Sequence, residues 1–372
     1  MSGIVGSNLE RRSGIVATAG SGITISDSDP ATNSNPAGGV GTVWTNSTSG
    51  ETYVCTTDTD DANVWTNAGS GTGEIAPPKW YGARGVTGGG AIHPAVGTFW
   101  VDAMDYVTIS TTGNALDFGN LDVAYRYAIA ASNGTRGVWC GGHTVGAYFD
   151  TMQYVTIASL GDADDFGNLS TNSYIPAANS NGTIGVIYIG STGAAVIDTI
   201  EKITISSGAD SVNFGDSTED RYGSTSASNG TIMVAAGGHT GSSTVVTIDK
   251  VNIASDGNAT NFGDLSTATM ECDAATGAIT KGIFAIGNSS SEDTLEYVNI
   301  ASDGNTRDFG DYPVPRSNPS AYCSATRSCW AGGYSGGAKN EIEFVTTDTT
   351  GNAADFGDLN LARYVTGGTS GT

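Results

Sequence analysis

The stretch Ser255–Leu265, SDGNATNFGDL, carries a Phe-Gly phrase that returns through most of this chain of 372 residues. Successive copies lie 48, 48, 48, 47 and 47 residues apart. The phenylalanines of the six copies are Phe118, Phe166, Phe214, Phe262, Phe309 and Phe356. A fixed interval of this size indicates that one supersecondary unit is repeated along the chain. The repeat therefore decides the fold.

Three other phrases return at the same interval, and each is typical of a β-strand. One is a run of small residues ending in Asn-Gly, such as YAIAASNG from Tyr127, and the next is a β-rich run ending in glycines, such as RGVWCGG from Arg136. The third alternates β-branched and polar residues, as in YVTIA from Tyr154, and the Phe-Gly phrase follows it. Such alternation predicts half-buried strands, and Asn-Gly predicts a tight hairpin. Each repeat therefore predicts four antiparallel strands, the pattern of a β-propeller blade.

We predict an all-β fold in which residues 79–372 form a six-bladed β-propeller with four-stranded blades. The repeated phenylalanine is expected to pack between neighbouring blades, and its glycine to allow a turn that a side chain would block. The stretch LNLARYVTGGTSGT from Leu359 matches the start of a repeat. We expect its strand, about residues 363–372, to complete the blade begun by residues 84–119 and so to close the ring without an open edge.

This pattern resembles the kelch-like propellers of the galactose-oxidase type over residues 80–372. The resemblance rests on an arginine before the first strand of a repeat and a glycine pair at the end of the second. These residues are Arg126, Arg221, Arg316 and Arg363, and Gly141–Gly142, Gly237–Gly238 and Gly332–Gly333. Two repeats lack the arginine, two glycine pairs are replaced by IGS and IGN, and Phe-Gly stands where the family has a tryptophan in the fourth strand. The resemblance implies a fold and leaves the function open.

The first 78 residues differ in composition from the repeats. We expect residues 1–38 to be an extended anchor, and residues 39–78 to be a small β-hairpin module built from TVWTN, TYVCT and NVWTN. A module of this size buries little core alone, so it is expected to pack on copies of itself or on another protein. Docking would bury aliphatic side chains of the anchor and pair its arginines with acidic groups. The candidate attachment residues are Ile4, Val5, Arg11, Arg12, Ile15 and Val16.

A second resemblance concerns the same region. The N-terminal SGIVGS and RRSGIV, the Trp-Thr-Asn and Val-Cys-Thr phrases, and the Phe-Gly-Asp-Leu repeats resemble virion structural proteins of tailed bacteriophages, in the style of marine and cyanobacterial phages. This resemblance implies a tail-fibre or appendage protein with its N-terminus anchored to the tail or capsid and its propeller displayed outward. The start of the chain has no secretory-signal pattern, which favours assembly in the host cytoplasm and a final location in the virion.

The amino-acid composition argues against several classes of partner and against a disulfide framework. With 38 acidic and 15 basic side chains, the net charge of −23 argues against nucleic acid and anionic membranes as partners. No stretch approaches the roughly 18 apolar residues of a membrane span. Five cysteines, an odd and sparse set, argue against a disulfide framework and favour reduced, buried thiols, although Cys323 and Cys329 could meet across a hairpin.

Catalytic and metal sites are not favoured by the sequence, and we expect neither an enzyme nor a cofactor. His143 and His239 both follow Gly-Gly two repeats apart, so they are expected to be polar loop residues that do not share a ligand. Neither a copper-binding set nor a nucleophile elbow is apparent. Acidic stretches around Asp58 and Asp162 resemble fragments of calcium loops, but turn formation explains them better and calcium remains an alternative.

Aromatic residues in or near the second strands carry the binding hypothesis, because exposed rings stack on sugar faces. The candidates for glycan binding are Trp139, Tyr148, Phe149, Trp330 and Tyr334, and Trp100 lies in the same class of position. The alternative for each is packing in the core between blades.

These observations predict a phage virion structural protein that forms a homo-oligomer, contacts other virion proteins through its N-terminal region and displays its propeller for adhesion to a host-surface glycan. Three alternatives stay open. The first is a capsid or tail decoration protein without receptor binding, the second is a glycan-active propeller enzyme, and the third is a cellular adhesion or scaffold propeller.

Overall fold

A computed structural model describes residues 23–69, 74–75, 79–93, 99–144, 146–270, 273–278, 280–286 and 293–372. Within these ranges the chain is all-β, with β-strands and no helix. It divides into two compact units, with the boundary between residues 77 and 78. The candidate attachment residues Ile4, Val5, Arg11, Arg12, Ile15 and Val16 lie outside the described residues, as does Cys272.

The first unit is one five-stranded sheet with its strands in chain order. Its strands are β1 Thr24–Ser26, β2 Val43–Asn46, β3 Thr52–Thr57, β4 Val64–Asn67 and β5 Glu74–Ile75. Strand β1 lies within residues 1–38, the segment predicted to be an extended anchor, and runs parallel to β2. Its alternating Ile-Thr-Ile-Ser sequence suits a strand at a sheet edge. The small core consists of Tyr53, Cys55 and Trp65, with the ring of Trp44 edge-on to that of Trp65 at 5.8 Å.

The second unit contains six larger sheets, numbered here in chain order, and one short hairpin. The strands up to the end of sheet 3 are β6 Arg84–Gly88, β7 Ala91–Ile92, β8 Phe99–Trp100, β9 Ala103–Thr108, β10 Leu116–Asn120, β11 Ile129–Ser132, β12 Arg136–Cys140, β13 His143–Thr144, β14 Ala147–Thr156, β15 Asp164–Ser173, β16 Ala177–Ser180, β17 Ile184–Tyr188, β18 Thr199–Thr204 and β19 Val212–Asp216. The remaining strands are β20 Thr225–Ser228, β21 Ile232–Ala236, β22 Thr247–Asn252, β23 Thr260–Asp264, β24 Asp273–Ala278, β25 Lys281–Ala285, β26 Thr294–Asn299, β27 Arg307–Asp311, β28 Ser320–Cys323, β29 Arg327–Ala331, β30 Glu341–Thr346, β31 Ala354–Asp358 and β32 Gly367–Gly371.

Sheets 3 to 6 are antiparallel meanders of four consecutive strands, β16–β19, β20–β23, β24–β27 and β28–β31. Sheet 2 pairs β11, β12, β14 and β15 in the same way, with the short β13 added beside β14, while β7 and β8 form the separate hairpin. Sheet 4 shows why the first two strands of a repeat form a hairpin. The small residues Thr225–Ser228 are all buried, Asn229–Gly230 turns the chain, and the Oδ1 of Asn229 accepts from the backbone N–H of Ile232 at 2.8 Å. The prediction of an all-β fold made of four-stranded antiparallel sheets is confirmed.

Sheet 1 is completed by the last strand of the chain. β32 pairs antiparallel with β6, from Gly367 opposite Gly88 to Gly371 opposite Arg84. The order across this sheet is β10, β9, β6 and β32. The fully buried Arg363 lies four residues before β32, and it donates from Nη2 to Oδ2 of Asp105 on β9 at 3.1 Å. A buried ion pair therefore holds the C-terminal segment against sheet 1.

Each repeated phenylalanine packs against the following sheet. Phe214 of sheet 3 is 2% exposed and lies in a cluster with Met233, Val251 and Ile253 of sheet 4. Corresponding clusters surround Phe118, Phe166, Phe262 and Phe309. Phe356 of sheet 6 packs with Val107, Ile109 and Ala115 of sheet 1. The repeated phenylalanine therefore fills the core between neighbouring sheets.

The sequence suggested that the glycine of the Phe-Gly phrase forms a turn. It lies instead inside the fourth strand of its sheet. A Cβ atom on Gly215 would stand 2.3 Å from the carbonyl oxygen of Gly257, in the turn before the fourth strand of the next sheet. The N–H of Gly257 donates to the carbonyl of Phe214 at 2.9 Å, and Oδ1 of Asn258 accepts from the N–H of Asp216 at 3.2 Å. The glycine is thus required by the close approach of a neighbouring backbone.

Three of the four arginines assigned to the kelch-like pattern occupy one equivalent buried position, and the fourth, Arg126, does not. Arg221 and Arg363 form buried ion pairs with Asp249 at 2.9 Å and Asp105 at 3.1 Å, and Arg316 pairs with Glu343. In sheet 2 the equivalent position is Tyr125, whose hydroxyl accepts from Nε2 of Gln153 at 3.3 Å. Arg126 was counted in this set, but it lies one residue later along the chain and takes a different place.

Replacing Phe214 by alanine tests the packing between sheets. We expect Phe214→Ala to lower the free energy of unfolding by about 3–5 kcal/mol, because it removes a buried ring and leaves a cavity. The matched control is Val212→Ala in the same strand, whose side chain is 56% exposed and whose loss is expected to cost under about 0.5 kcal/mol. Denaturant unfolding measures both, and equal costs would place Phe214 outside the core.

Candidate ligand-binding rim

The antiparallel meander brings two kinds of connection to one end of the sheets. The loops after the glycine pairs and the segments that enter the first strands meet there, and isolated bridges join them one to one. The bridged pairs are Ala91 with Tyr364, Arg126 with His143, Tyr174 with Ser191, Tyr222 with His239, and Ser317 with Tyr334. The Asn-Gly turns, which join the first and second strands, and the turns that join the third and fourth strands necessarily lie at the opposite end.

Aromatic side chains collect at this end of the sheets. We call them the aromatic rim, which consists of His93, Trp100, Tyr127, His143, Tyr148, Tyr174, Tyr222, His239, Tyr334 and Tyr364. All ten are partly or well exposed. The ring of Tyr174 lies 5.4 Å from that of Tyr148 and 6.1 Å from that of Tyr222, which in turn lies 5.4 Å from His239. Tyr334 and Tyr364 lie 5.1 Å apart. The rim therefore offers aromatic surface around much of this end.

Two cavities open among these residues. The rim cavity, of about 200 Å³, is lined by His93, Tyr127, Ser317, Asn318, Tyr334 and Tyr364. The central cavity, of about 120 Å³, is lined mainly by the small residues of the first strands. Tyr127 and Asn318 line both, so the two cavities share a wall. Trp80 also lines the central cavity and stands against Gly230, at the hairpin-turn end.

The backbone between the rim and the first strands is held in an unusual conformation. Tyr127, Ile175, Asn318 and Val365 have φ values of 59°, 52°, 59° and 54°. A side chain in this left-handed region, especially a β-branched one, costs on the order of 1–3 kcal/mol. Backbone hydrogen bonds hold it: Tyr127 donates to Val365 at 3.0 Å, and Val365 donates to Asn318 at 2.9 Å. The mouth of the central cavity is therefore rigidly set.

Arg126 is the cation of the rim. Its guanidinium carbon lies 4.4 Å from the ring centroid of Trp100 and 4.9 Å from that of Tyr127, and its Nε donates to Nδ1 of His143 at 3.3 Å. Burial, and then the Arg126 charge, lower the pKa of His143 below its usual value. His143 therefore tends to remain neutral and to act as an acceptor towards Arg126.

Among the glycan-binding candidates from the sequence, Tyr148 and Tyr334 belong to the rim, and Tyr148 is 36% exposed. Phe149 is half-buried and packs towards Tyr125, with the ring centroids 6.4 Å apart. Trp139 and Trp330, by contrast, have no exposed surface.

The two buried tryptophans require a correction. Nε1 of Trp139 donates to the carbonyl of Gly367 at 3.2 Å, and the ring of Trp330 meets that of Tyr312 edge-on at 5.7 Å. A ring enclosed in the core presents no face to a sugar, so these two are packing residues, as the alternative interpretation held. Both faces of the second strand are buried, since Val138 and Cys140, on either side of Trp139, have no exposed surface either.

Sequence reasoning missed four tyrosines of the rim, Tyr127, Tyr174, Tyr222 and Tyr364. A signal was present, because Tyr174, Tyr222 and Tyr364 all stand three residues before the start of a first strand, at equivalent repeat positions. The histidines His143 and His239 do lie at equivalent positions, each bridged to the residue that enters a first strand. The rings of Tyr174 and Tyr222 lie between them.

The carboxylates of the predicted calcium-like stretches accept hydrogen bonds within the protein, and the described cysteines are buried. Oδ1 of Asp162 accepts from the N–H of Asn120 at 2.9 Å, and Asp60 accepts from Nδ2 of Asn35 at 2.8 Å. Within the described residues, no group of three His, Cys, Asp or Glu side chains is placed to hold a metal ion. The described cysteines, Cys55, Cys140, Cys323 and Cys329, are free and buried. No helix in the described part of the chain is long and apolar enough to span a membrane.

No protein-family model matches the chain, and no curated protein matches it in sequence.

Proposed function

We propose that the six sheets are the blades of a closed, six-bladed, kelch-like β-propeller. Three observations support this. The first strands of successive sheets contact one another from β11 through β16, β20, β24 and β28 to β32, and β32 contacts β11. The phenylalanine cluster of sheet 6 includes residues of sheet 1. The N–H of Gly113 in sheet 1 donates to the carbonyl of Phe356 in sheet 6 at 2.7 Å, and equivalent hydrogen bonds are made to the carbonyls of Phe118, Phe214, Phe262 and Phe309.

Removal of residues 363–372 tests the closure. The truncated chain is expected to melt at a lower temperature and to aggregate, because β6 loses its partner and Asp105 keeps a buried charge without Arg363. Calorimetry and light scattering measure both effects. Removing Thr372 alone is the control, since it leaves β32 intact. Unchanged melting of the longer truncation would contradict a ring that depends on its last strand.

We further propose that the propeller binds a glycan on a host cell surface through the aromatic rim. The observation that carries this proposal is the collection of ten aromatic side chains at one end of the sheets, four of which line the rim cavity. Sugar rings stack on aromatic faces, and tyrosine hydroxyls can bond to sugar hydroxyls at the same time. The fixed backbone beneath the rim supports the idea, because a preorganised site loses less entropy on binding.

The place of this binding is proposed to be the virion of a tailed bacteriophage. The support is the resemblance of the N-terminal phrases and repeats to phage virion proteins. Residues 1–38 would anchor the chain to the tail or capsid, and residues 39–78 would associate copies of it. Association places several rims side by side, and such multivalency strengthens attachment when each single site is weak.

Substitution of two rim tyrosines tests the binding proposal. Tyr148→Ala and Tyr334→Ala are each expected to weaken binding of the oligomeric full-length chain to its glycan by about tenfold, because each removes one stacking surface. Tyr297→Ala is the control, since Tyr297 is partly exposed on β26, away from the rim. A glycan array followed by adhesion to bacterial cells provides the measurement.

Two results would contradict the proposal in different ways. Binding that survives both rim substitutions and falls in Tyr297→Ala would move the site away from the rim. An oligomer that binds no glycan and no cell would favour the decoration role instead.

A fragment of residues 79–372 tests the division of labour. It is expected to be a soluble, β-rich monomer that fails to enter virions, because it keeps its own sheets and cores but lacks the attachment region. Full-length chain is expected to oligomerise or to enter virions. Size-exclusion chromatography and analysis of purified particles measure this, and normal incorporation of the fragment would overturn the anchoring role of residues 1–78.

A further inference from the structure

Arg126 differs from the other arginines that pack in the second unit. Arg221, Arg316 and Arg363 pair with buried carboxylates. Arg84, Arg136 and Arg327 each donate to a backbone carbonyl of the next sheet. Arg126 uses only Nε, towards His143, and its two terminal amino groups contact no acceptor among the described residues. A guanidinium keeps its charge at any physiological pH, so this half-buried cation has no counter-ion among the side chains that the structure describes.

Arg126 stands beside the rim cavity and is not one of the residues that line it. Its guanidinium stacks on Tyr127 at 4.9 Å, and Tyr127 forms part of the cavity wall. A guanidinium stacked on an aromatic face can still present its terminal amino groups at its edge, in the fork geometry that matches two oxygens of a carboxylate. The aromatic surface and the fork therefore lie next to each other, as a charged sugar requires.

The electrostatic surroundings favour an anion at this point. Burial and Arg126 account for the lowered pKa of His143, and no carboxylate contributes to it. Many acidic side chains of the repeats stand in the turns between the third and fourth strands, at the opposite end of the sheets, among them Asp162, Asp210, Asp256 and Asp303. Asp102, Asp122 and Asp150 lie in the rim-end segments, but none forms an ion pair with Arg126 within the described residues.

We propose that the rim cavity binds an acidic saccharide, whose anionic substituent is held by the terminal amino groups of Arg126 while its ring stacks on the tyrosines of the cavity. This inference deepens the proposed glycan binding and rests on it. A carboxylate, as in a hexuronic acid, fits the fork best, and a sulfate offers the same paired oxygens.

The test measures binding of saccharides to the full-length chain by calorimetry. The probes are a hexuronic acid oligomer, a neutral hexose oligomer of equal length and a sulfated oligomer of that length. We expect the acidic probe to bind about 10- to 100-fold more tightly than the neutral one, as charge-assisted hydrogen bonds would give. Arg126→Gln is expected to abolish this preference, and Arg126→Lys to restore part of it.

Arg136→Gln is the matched control. Arg136 belongs to the same sheet and lies 4.0 Å from the ring centroid of Tyr154, but it stands at the opposite end of the sheet. This variant is expected to keep the preference. A thermal melt of each variant shows that it is folded.

The imidazole of His143 gives a local readout by NMR. The acidic probe is expected to raise the pKa of His143, because a carboxylate beside it stabilises the imidazolium, and the neutral probe is not. Arg126→Gln alone is also expected to raise this pKa, since it removes one of the two causes that lower it.

The outcomes separate the two proposals. Equal binding of acidic and neutral oligomers, or a preference that persists in Arg126→Gln, would overturn the acidic ligand and leave glycan binding in place. Absence of binding to every saccharide would overturn both. A preference for the sulfated oligomer that depends on Arg126 would support the inference and identify the anion.

Discussion

The second unit depends on the contact between the fourth strand of one sheet, which carries the Phe-Gly phrase, and the turn before the fourth strand of the next sheet. A four-stranded sheet has two faces and cannot bury both alone, so it must pack against neighbours. Phe214 fills the space between sheets 3 and 4, and Gly215 lets the backbone at Gly257 approach to within hydrogen-bonding distance of Phe214. The buried ring contributes about 2–3 kcal/mol, and each hydrogen bond about 0.5–1.5 kcal/mol. One phrase thereby joins each sheet to the next.

This contact joins the fourth strand of one sheet to the turn between the third and fourth strands of the next, and the loops after the glycine pairs take no part in it. The buried pairs Arg221–Asp249 and Arg363–Asp105 tie the entry of a first strand to the third strand of the same sheet. Above them, residue identity varies from repeat to repeat, with Arg126, Tyr174, Tyr222, Ser317 and Tyr364 at equivalent positions. A framework set at one end thus carries a variable surface at the other, which is how binding sites are commonly built on repeated scaffolds.

The sequence predicted what is repeated and failed where one residue of register decides the outcome. The four strands and the packing of Phe214 could be predicted because each signal occurs several times at one interval. The burial of Trp139 and Trp330 could not, because it depends on neighbouring sheets that cover both faces of the second strand, and the strand pattern alone does not show them. Arg126 was assigned to the buried position that Tyr125 occupies because adjacent residues point to opposite faces and the repeat does not fix the register to one residue. The contact between Tyr174 and Tyr222 could be recognised only from the structure, because it depends on how neighbouring sheets are placed.

The net charge of −23 would seem to oppose an anionic ligand, but it describes the whole chain rather than the rim. Part of the acidity is structural. Asp162 accepts a backbone hydrogen bond at 2.9 Å, and Asp256 and Asp303 each pair with a lysine of the preceding sheet at 2.5 Å. These groups stand at the far end of the sheets, and at ordinary ionic strength a charge is screened beyond about 8–10 Å. The potential felt by a bound ligand is therefore set by its near neighbours, and Arg126, which stacks on Tyr127 of the cavity wall, is one of them.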